Sequence, residues 1–476
     1  MHILQVNSAD LAGGAEAVAW RLFHAYRRMG HTSQLAVGLK RSTDPDVISL
    51  LHDEFSGAWA RWWKKVGDSL GPLEGKIRGA ARLRRFCLAR IGQPRRCLDI
   101  WRGREDFSFP DIWHLNAIFP KTPDIVQCHN LHGAWLPSGG YFDLAALPWL
   151  SQRIPTVLTL HDAWLLSGHC AHSFGCDRWK SGCGACPDLT IYPAIRRDAT
   201  AYNWRRKQMI YGKSRLFVAT PSRWLMHQVQ ESMLSPGVVA SKVIPNGVDL
   251  SIFHPADKRQ ARDYLQIPQQ ARVLFFVAHG VKGNIWKDYT TMKEAVREVT
   301  ARLRGQKIIF VALGEEGDWE EKDGVRIRFV PFQTDPKEVA RYYHAADIYL
   351  HAARADTFPN TVLEALACGI PVVATAVGGI SEQVSEARTG FLVPAGDASA
   401  MAQKAIRLLV NADLRMSCGQ RAVHEATQRF DLRCQAATYL EWFEEIVKSH
   451  ARGELHERES SPVNPHEKRH TSLTIG

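Results

Sequence analysis

The chain has 476 residues, 45% of them hydrophobic and 23% charged, enough for two folded domains with ample cores, and no apolar run approaches the ~18 residues of a membrane span. Its formal charge of +11 is concentrated: between Ala58 and Arg104, thirteen Lys or Arg residues stand against only Asp68, Glu74 and Asp99. Such a patch attracts an anionic membrane or a nucleic acid, and composition does not choose between them.

His2 to Val6 reads as a first strand, followed by a loop carrying Gly13-Gly14 and a helical pattern that runs to Met29 and stops at Gly30. Strand, glycine loop and helix make a corner that favours an anion, because glycine lets a ligand approach the backbone closely. A plain tight turn is the alternative. The opening Met1-His-Ile-Leu-Gln-Val has no basic-then-apolar leader, so a cytoplasmic protein is expected. Residues 52–110 read as an insertion. There Trp59, Trp62, Trp63, Val66 and Leu70 fall at helical spacing among Arg61, Lys64 and Lys65, and a second basic helical stretch spans Lys76 to Arg90. The sheet resumes at Asp124 to His129 and at Thr156 to Leu160. His161 then stands at a strand's carboxyl end, the edge where α/β sheets hold ligands; capping the following turn is its other role.

Cys170, Cys176, Cys183 and Cys186 gather four of the chain's ten cysteines into one loop, 169–187. In a cytosolic chain this clustering favours thiolate–zinc over disulfides. The closing C-x2-C is a metal knuckle, His169 and His172 are spare donors, and four ligands would make the ion structural. Free thiols packing the loop are the alternative.

Leu216 to Thr220 is a further strand, leading through Pro221-Ser222 into a helix. Val243 to Pro255 runs from a strand into Asn-Gly and Pro punctuation, and a second series of elements opens at Arg272 with VLFFVAH. Lys282 and Lys287 lie in the loop after that strand. Lys307 to Leu313 and Val325 to Val330 continue the sheet, the latter ending at Pro331-Phe332. Asp347 to Val384 then reads strand, helix, strand, helix, with connections short enough to require parallel crossovers. Each of its two loops feeds a helix N-terminus, so residues 359–362 and 379–382 together suit a diphosphate. Asp356 and Glu364 flank the first turn; Thr361-Val-Leu-Glu364 is also a capping-box pattern. Phe430 to Val447 is an amphipathic helix, and 450–476 is polar and aperiodic, as a disordered tail would be.

The acid-x7-Glu pair Asp356/Glu364, with EALACGIPVVAT and GGISEQV after it, resembles the signature of the retaining glycosyltransferases of family 4. Their GT-B fold is α/β, with two Rossmann-like parallel-sheet domains facing across a cleft. The resemblance covers the second domain and the hinge at Val243–Pro255 and, more loosely, the first domain outside 52–110. It implies an acceptor domain over 1–250, with the basic insertion and the Cys-rich loop, and a nucleotide-sugar domain over 251–428. A helix at 429–449 would cross back to the first domain, and 450–476 would form the tail.

By the same resemblance Glu364 holds the ribose hydroxyls, while His161 and Asp356 face the transferred sugar as catalytic residues. Asp356 stands where many members carry Glu. Lys287 meets the donor diphosphate together with the turns at Pro359, Asn360, Thr361 and at Gly378, Gly379. Backbone at Pro331 and Phe332 contacts the nucleobase, and Gly13 and Gly14 face the cleft. The family's arginine beside the lysine has no clear counterpart, and Lys282 is a substitute candidate. The Cys-rich loop resembles one in a subset of exopolysaccharide glycosyltransferases, including those of colanic acid type.

The expectation is therefore a retaining transferase using a UDP- or GDP-sugar and a lipid-linked or oligosaccharide acceptor, in bacterial surface polysaccharide synthesis. It would need no catalytic cofactor, carry a structural zinc, and sit on the anionic inner face of the cell membrane, with no nucleic acid involved. A nucleotide-sugar epimerase of the same fold and a basic zinc-containing nucleic-acid-binding protein are the alternatives.

Overall fold

The structure, a computed structural model, describes residues 1–11, 13–51, 55, 57–73, 79, 94–119, 121–322 and 325–452. The expected helix over Lys76 to Arg90 and nearly all of the expected tail lie outside the described residues. The first sheet holds β1 (His2–Ala9), β2 (Thr32–Leu39), β3 (Val47–Ser49), β4 (Ile125–Cys128), β5 (Thr156–Thr159), β6 (Leu216–Thr220) and β7 (Val238–Val243) in the order β3-β2-β1-β4-β5-β6-β7. Every neighbouring pair in it is parallel. The second holds β8 (Arg272–Val277), β9 (Ile308–Leu313), β10 (Glu320–Lys322), β11 (Val325–Val330), β12 (Ile348–His351), β13 (Val372–Thr375) and β14 (Gly390–Val393) in the order β10-β11-β9-β8-β12-β13-β14. Only its edge strand β10 runs antiparallel. This is the α/β, two-sheet architecture expected from the sequence.

Both sheets reverse strand order beside their first strand, between β1 and β4 and between β8 and β12. Loops splay apart at such a point and open a crevice at the carboxyl edge. In the first sheet β1, β4, β5 and β6 are buried along their whole length even where they are polar. Gln5, Gln127 and Thr159 stand on the neighbouring strands β1, β4 and β5 and are linked by hydrogen bonds of 3.2 and 3.0 Å along the row, with a third of 3.1 Å from Tyr26 to Gln127. Buried amides left unpaired would destabilise the sheet; paired, they fix its register.

Two connections join the halves. At the hinge, the Gly247 N–H donates to Gln435 Oε1 at 2.9 Å, and a Cβ on Gly247 would lie 2.5 Å from the Leu432 Cα, so only glycine fits. The helix Leu432–Ala451 that starts there lays Tyr439, Leu440, Trp442 and Phe443 on Ile3, Leu22, Tyr26 and Phe217 of the first domain. Each such buried side chain contributes about 1.5–3 kcal/mol.

The insertion begins with the helix Ala58–Ser69, in which only Gly67 is buried. Trp59 and Trp62 remain 57% and 55% exposed, with Trp63 packed edge-on against both. A second helix, Pro94–Trp101, leaves Leu98, Ile100 and Trp101 exposed. Among the described residues no helix is long and apolar enough to cross a membrane.

Candidate active site

The loop after β8 is laid against the loop after β12. Lys287 bridges Ala353 in antiparallel fashion and the Arg354 N–H donates to the Trp286 carbonyl at 2.9 Å. This pairing delivers the Lys287 ammonium onto the Asp356 carboxylate, 3.3 Å from His351 Nε2. Burial alone would raise the Asp356 carboxyl, but Lys287 and His351 together hold it well below its ordinary value. Burial, aided by the Lys287 charge, pushes His351 down to about 4. A neutral His351 therefore accepts from Lys287 through Nε2, while its Nδ1 meets the Tyr349 hydroxyl at 3.2 Å.

Glu364 lies within the helix Asn360–Ala367, whose N-cap is Pro359 and which has no side-chain cap. The capping-box geometry that Thr361 and Glu364 could have formed is absent. Glu364 is buried, and its carboxylate instead meets the Tyr343 hydroxyl at 3.2 Å and, across the cleft, the Arg21 guanidinium at 3.6 Å. Burial raises its pKa; Arg21 and Tyr343 oppose the rise. The turn after β13 rests directly on the turn after β12. A Cβ on Gly378, where φ is +53°, would fall 1.9 Å from the Asp356 carbonyl oxygen, and one on Gly379 would fall 2.0 Å from that of Thr357. Any side chain at either position would drive the two turns apart.

The first domain closes the cleft from the other side. Gly13 donates its N–H to Glu16 Oε2 at 3.1 Å, and Glu16 Oε1 accepts from Ser8 at 2.5 Å. The Gly14 carbonyl accepts from Asn360 Nδ2 at 3.2 Å, and Asn360 Oδ1 accepts from the hinge residue Asn246 at 3.2 Å. The Thr357 hydroxyl donates to the His161 carbonyl at 2.6 Å. Glu382, in the short helix Ile380–Gln383 after β13, accepts from the backbone N–H groups of Arg223 and Trp224 at 2.9 and 2.8 Å, and so caps the helix Arg223–Glu231 of the opposite domain.

His161 Nε2 lies 3.0 Å from His129 Nδ1 with the rings nearly parallel. Burial pushes His161 down to about 4 and holds His129 well below its ordinary value, so both are neutral and one donates to the other. Next to them His132 pairs with Asp162 at 2.7 Å. Burial works against the Asp162 charge, but His132 and the Trp164 N–H hold its pKa down.

The structure thus brings Gly14, His161, Lys287, Asp356, Pro359, Asn360, Glu364, Gly378 and Gly379 into one set of abutting loops. Pro331 and Phe332 stand exposed at the end of β11, with Phe332 edge-on to His279 at 4.9 Å. Lys282 is not gathered in: its ammonium pairs with Glu320 at 2.7 Å and lies over Phe329. Sequence reasoning missed His129, His351, Arg21, Tyr343 and Thr357. For His129 and His351 a signal existed, since each stands at the carboxyl end of a strand as His161 does. Arg21 and Tyr343 are helical residues with no local signature. The four clustered cysteines are half-buried, form no disulfide, and line one small cavity together with His169. Among the described residues no three His, Cys, Asp or Glu side chains converge as a formed metal site.

A family profile described as Glycosyltransferase Family 4 matches residues 12–252, and one described as Glycosyl transferases group 1 matches residues 271–411. The chain belongs to glycosyltransferase family 4. It is 28% identical over 270 residues to a putative colanic acid biosynthesis glycosyl transferase, WcaC of Escherichia coli (strain K12), a match covering 53% of this chain and 60% of WcaC. It is 32% identical over 231 residues to the D-inositol 3-phosphate glycosyltransferase 2 of Catenulispora acidiphila, covering 45% of this chain and 52% of that one. The chain therefore spans only between about half and three fifths of the length of these curated relatives. Solved structures share the fold across nearly the whole chain. Anabaena HepE, in complex with UDP and glucose, superposes with a TM-score of 0.59 at 16% identity, over 94% of this chain and all of that one. Sucrose-phosphate synthase from Thermosynechococcus elongatus gives 0.57 at 17% identity, covering 94% of this chain and 99% of its own.

Proposed function

We propose that this family 4 chain is a retaining glycosyltransferase. It moves a sugar from a nucleoside-diphosphate sugar to a saccharide acceptor on a lipid carrier, in the assembly of a bacterial surface polysaccharide. One observation carries this reading: Lys287–Asp356, Glu364, the two stacked turns at 356–360 and 378–379, and the His161 loop meet where the carboxyl edges of both sheets face each other. The donor class is supported by HepE, which holds UDP and glucose, and the polysaccharide context by WcaC.

In this reading the ribose hydroxyls bind the Glu364 carboxylate. The diphosphate lies at the helix end at residues 359–362, where backbone N–H groups converge, with Lys287 as the fixed positive charge. These groups oppose the negative charge that grows on the departing phosphate, so the step needs no divalent ion. Asp356 and His161 take the hydroxyls of the transferred sugar. The acceptor hydroxyl attacks from the same face that the diphosphate leaves; the C1–O bond to phosphate breaks, the new C1–O bond forms, and the leaving phosphate oxygen takes the acceptor's proton. The exposed Trp59 and Trp62, beside the strongly basic segment, dock the first domain on an anionic membrane surface, the cytoplasmic face where a lipid-carried acceptor waits.

Calorimetry against UDP- and GDP-sugars, followed by proton NMR of the product's anomeric carbon, tests this. Retained configuration and a rate that magnesium or manganese does not raise are expected. An inverted anomer, or donor turnover that needs no acceptor, would overturn it.

A further inference from the structure

The loop between β5 and β6 carries chemistry that sugar transfer does not use. Cys170, Cys176, Cys183, Cys186 and His169 line one cavity of about 30 Å³, floored by the buried Trp179; that volume matches the space one water takes in the liquid. The backbone is shaped around it. Cys183 and Ala185 sit at φ 52° and 44°, and Gly182 and Gly184 at 142° and 89°. These left-handed turns fold the C-x2-C pair back on itself, a conformation that residues with a Cβ rarely take. The loop is pinned from outside: Gly184 N–H donates to the Thr200 hydroxyl at 2.9 Å, and Cys186 N–H donates to Asp198 at 2.8 Å. His169 is buried with Nδ1 3.0 Å from the Pro193 carbonyl, so Nδ1 carries the proton. Its bare Nε2 is aimed into the cavity, 3.4 Å from Cys186 Sγ. A carbonyl on the far nitrogen is how a metal-ligating imidazole is held, so His169 is one more donor facing this cavity.

The same loop reaches the donor side of the cleft. Phe174, at φ 45°, stacks on Trp286 with ring centroids 5.2 Å apart and planes 5° from parallel. Trp286 is the neighbour of Lys287 and packs on the first domain's core. His172 stacks in turn on Trp224, one of the two residues capped by Glu382.

We propose that Cys170, Cys176, Cys183 and Cys186 bind one zinc ion, and that this ion sets the loop that presses Phe174 onto Trp286 beside Lys287. Four thiolates in a closed tetrahedral set select zinc among common divalent ions and leave no position open for catalysis. Binding replaces the four thiol protons, which leave to solvent, and draws the sulfurs inward from the cavity wall. His169 stands beside the four sulfurs as a spare donor.

The test begins with metal analysis of the full chain purified without added metal. About one zinc per chain is expected; less than about a tenth of an equivalent, or iron in its place, overturns the site. A Cys183→Ser/Cys186→Ser chain should lose the ion and Cys434→Ser should keep it. Should the double variant not fold, titrating the wild-type chain with a mercurial decides the point: zinc must leave as these thiols react. The link to the donor loop, which rests on the transferase reading, is tested with UDP by calorimetry. Phe174→Ala should keep zinc yet weaken UDP about threefold or more, as coupling through packed side chains allows, and zinc-stripped wild type should match it. Unchanged UDP affinity in both would overturn the link. Zinc content is read without any donor, so failure of the site and failure of the transferase reading give different results.

Discussion

The Arg21 guanidinium lies 3.6 Å from the Glu364 carboxylate, joining the first helix of one domain to the acid expected to grip ribose in the other. Glu364→Gln keeps the shape and the Tyr343 contact but removes the charge. Charge-assisted hydrogen bonds are worth about 1.5–3 kcal/mol each, so donor affinity should fall by at least about tenfold, as calorimetry would show. Stability should move the other way. Burial raises the Glu364 pKa above its ordinary value of 4.5, so the wild type loses stability as pH rises through that raised value. The Gln variant should match wild type in melting temperature below the carboxylate range and equal or exceed it at neutral pH.

Lys287→Met strands the Asp356 carboxylate in the interior. Removing one partner of a buried ion pair destabilises by about 3 kcal/mol, and adding Asp356→Asn should recover most of that loss in urea unfolding without restoring transfer. The Asp356 pKa is depressed, so the pair's contribution is complete above the ordinary Asp value of 3.8 and is lost only as pH falls through the depressed one. Lys287→Met alone should remove that acid-side dependence.

The paired imidazoles set the pH profile. His161 is pushed to about 4 from 6.5, so between these values the unfolded chain binds more protons and stability rises with pH. The pH dependence of kcat/KM should therefore show no histidine limb near 6.5. His129→Ala unburies its partner and should return a limb near the ordinary histidine range; a profile identical to wild type would mean the pair has no part in transfer.

Trp59 and Trp62 stand out from a helix that buries almost nothing of its own. Basic residues near an anionic leaflet contribute about 1 kcal/mol each. Co-sedimentation should occur with anionic vesicles only, weaken in high salt, and drop in a Trp59→Ser/Trp62→Ser chain. Equal recovery in the supernatant for anionic and neutral vesicles would make this segment a covering hairpin.

Much of this molecule is legible in its sequence because parallel sheets announce themselves locally. The buried runs at Ile348–His351 and Val372–Thr375, each closed by a glycine or proline turn, carry their own pattern. The Asp356/Glu364 pair was readable for the same reason, being a spacing within one turn and helix. The partners of these acids were not. Arg21 sits 343 residues from Glu364, and Lys287 is 69 residues from Asp356. Such pairings exist only once two sheets have formed and closed on each other, and no periodicity encodes them. The capping-box pattern at Thr361 misleads in the same way, since the helix starts at Asn360 and the carboxylate turns to Tyr343 and Arg21 instead.

Glu382 ties the state of the cleft to the integrity of a helix it does not belong to. Any motion that parts the domains strips the Arg223 and Trp224 amides of the Glu382 carboxylate and leaves two donors at the start of Arg223–Glu231 to water. The Ser222 hydroxyl still caps Leu225, so the helix survives while its first two amides alternate between protected and bare. Those two protons are a built-in clock for the breathing of the cleft: their exchange with deuterated solvent counts openings directly, and a ligand that holds the cleft shut would slow them while leaving Leu225 unaffected.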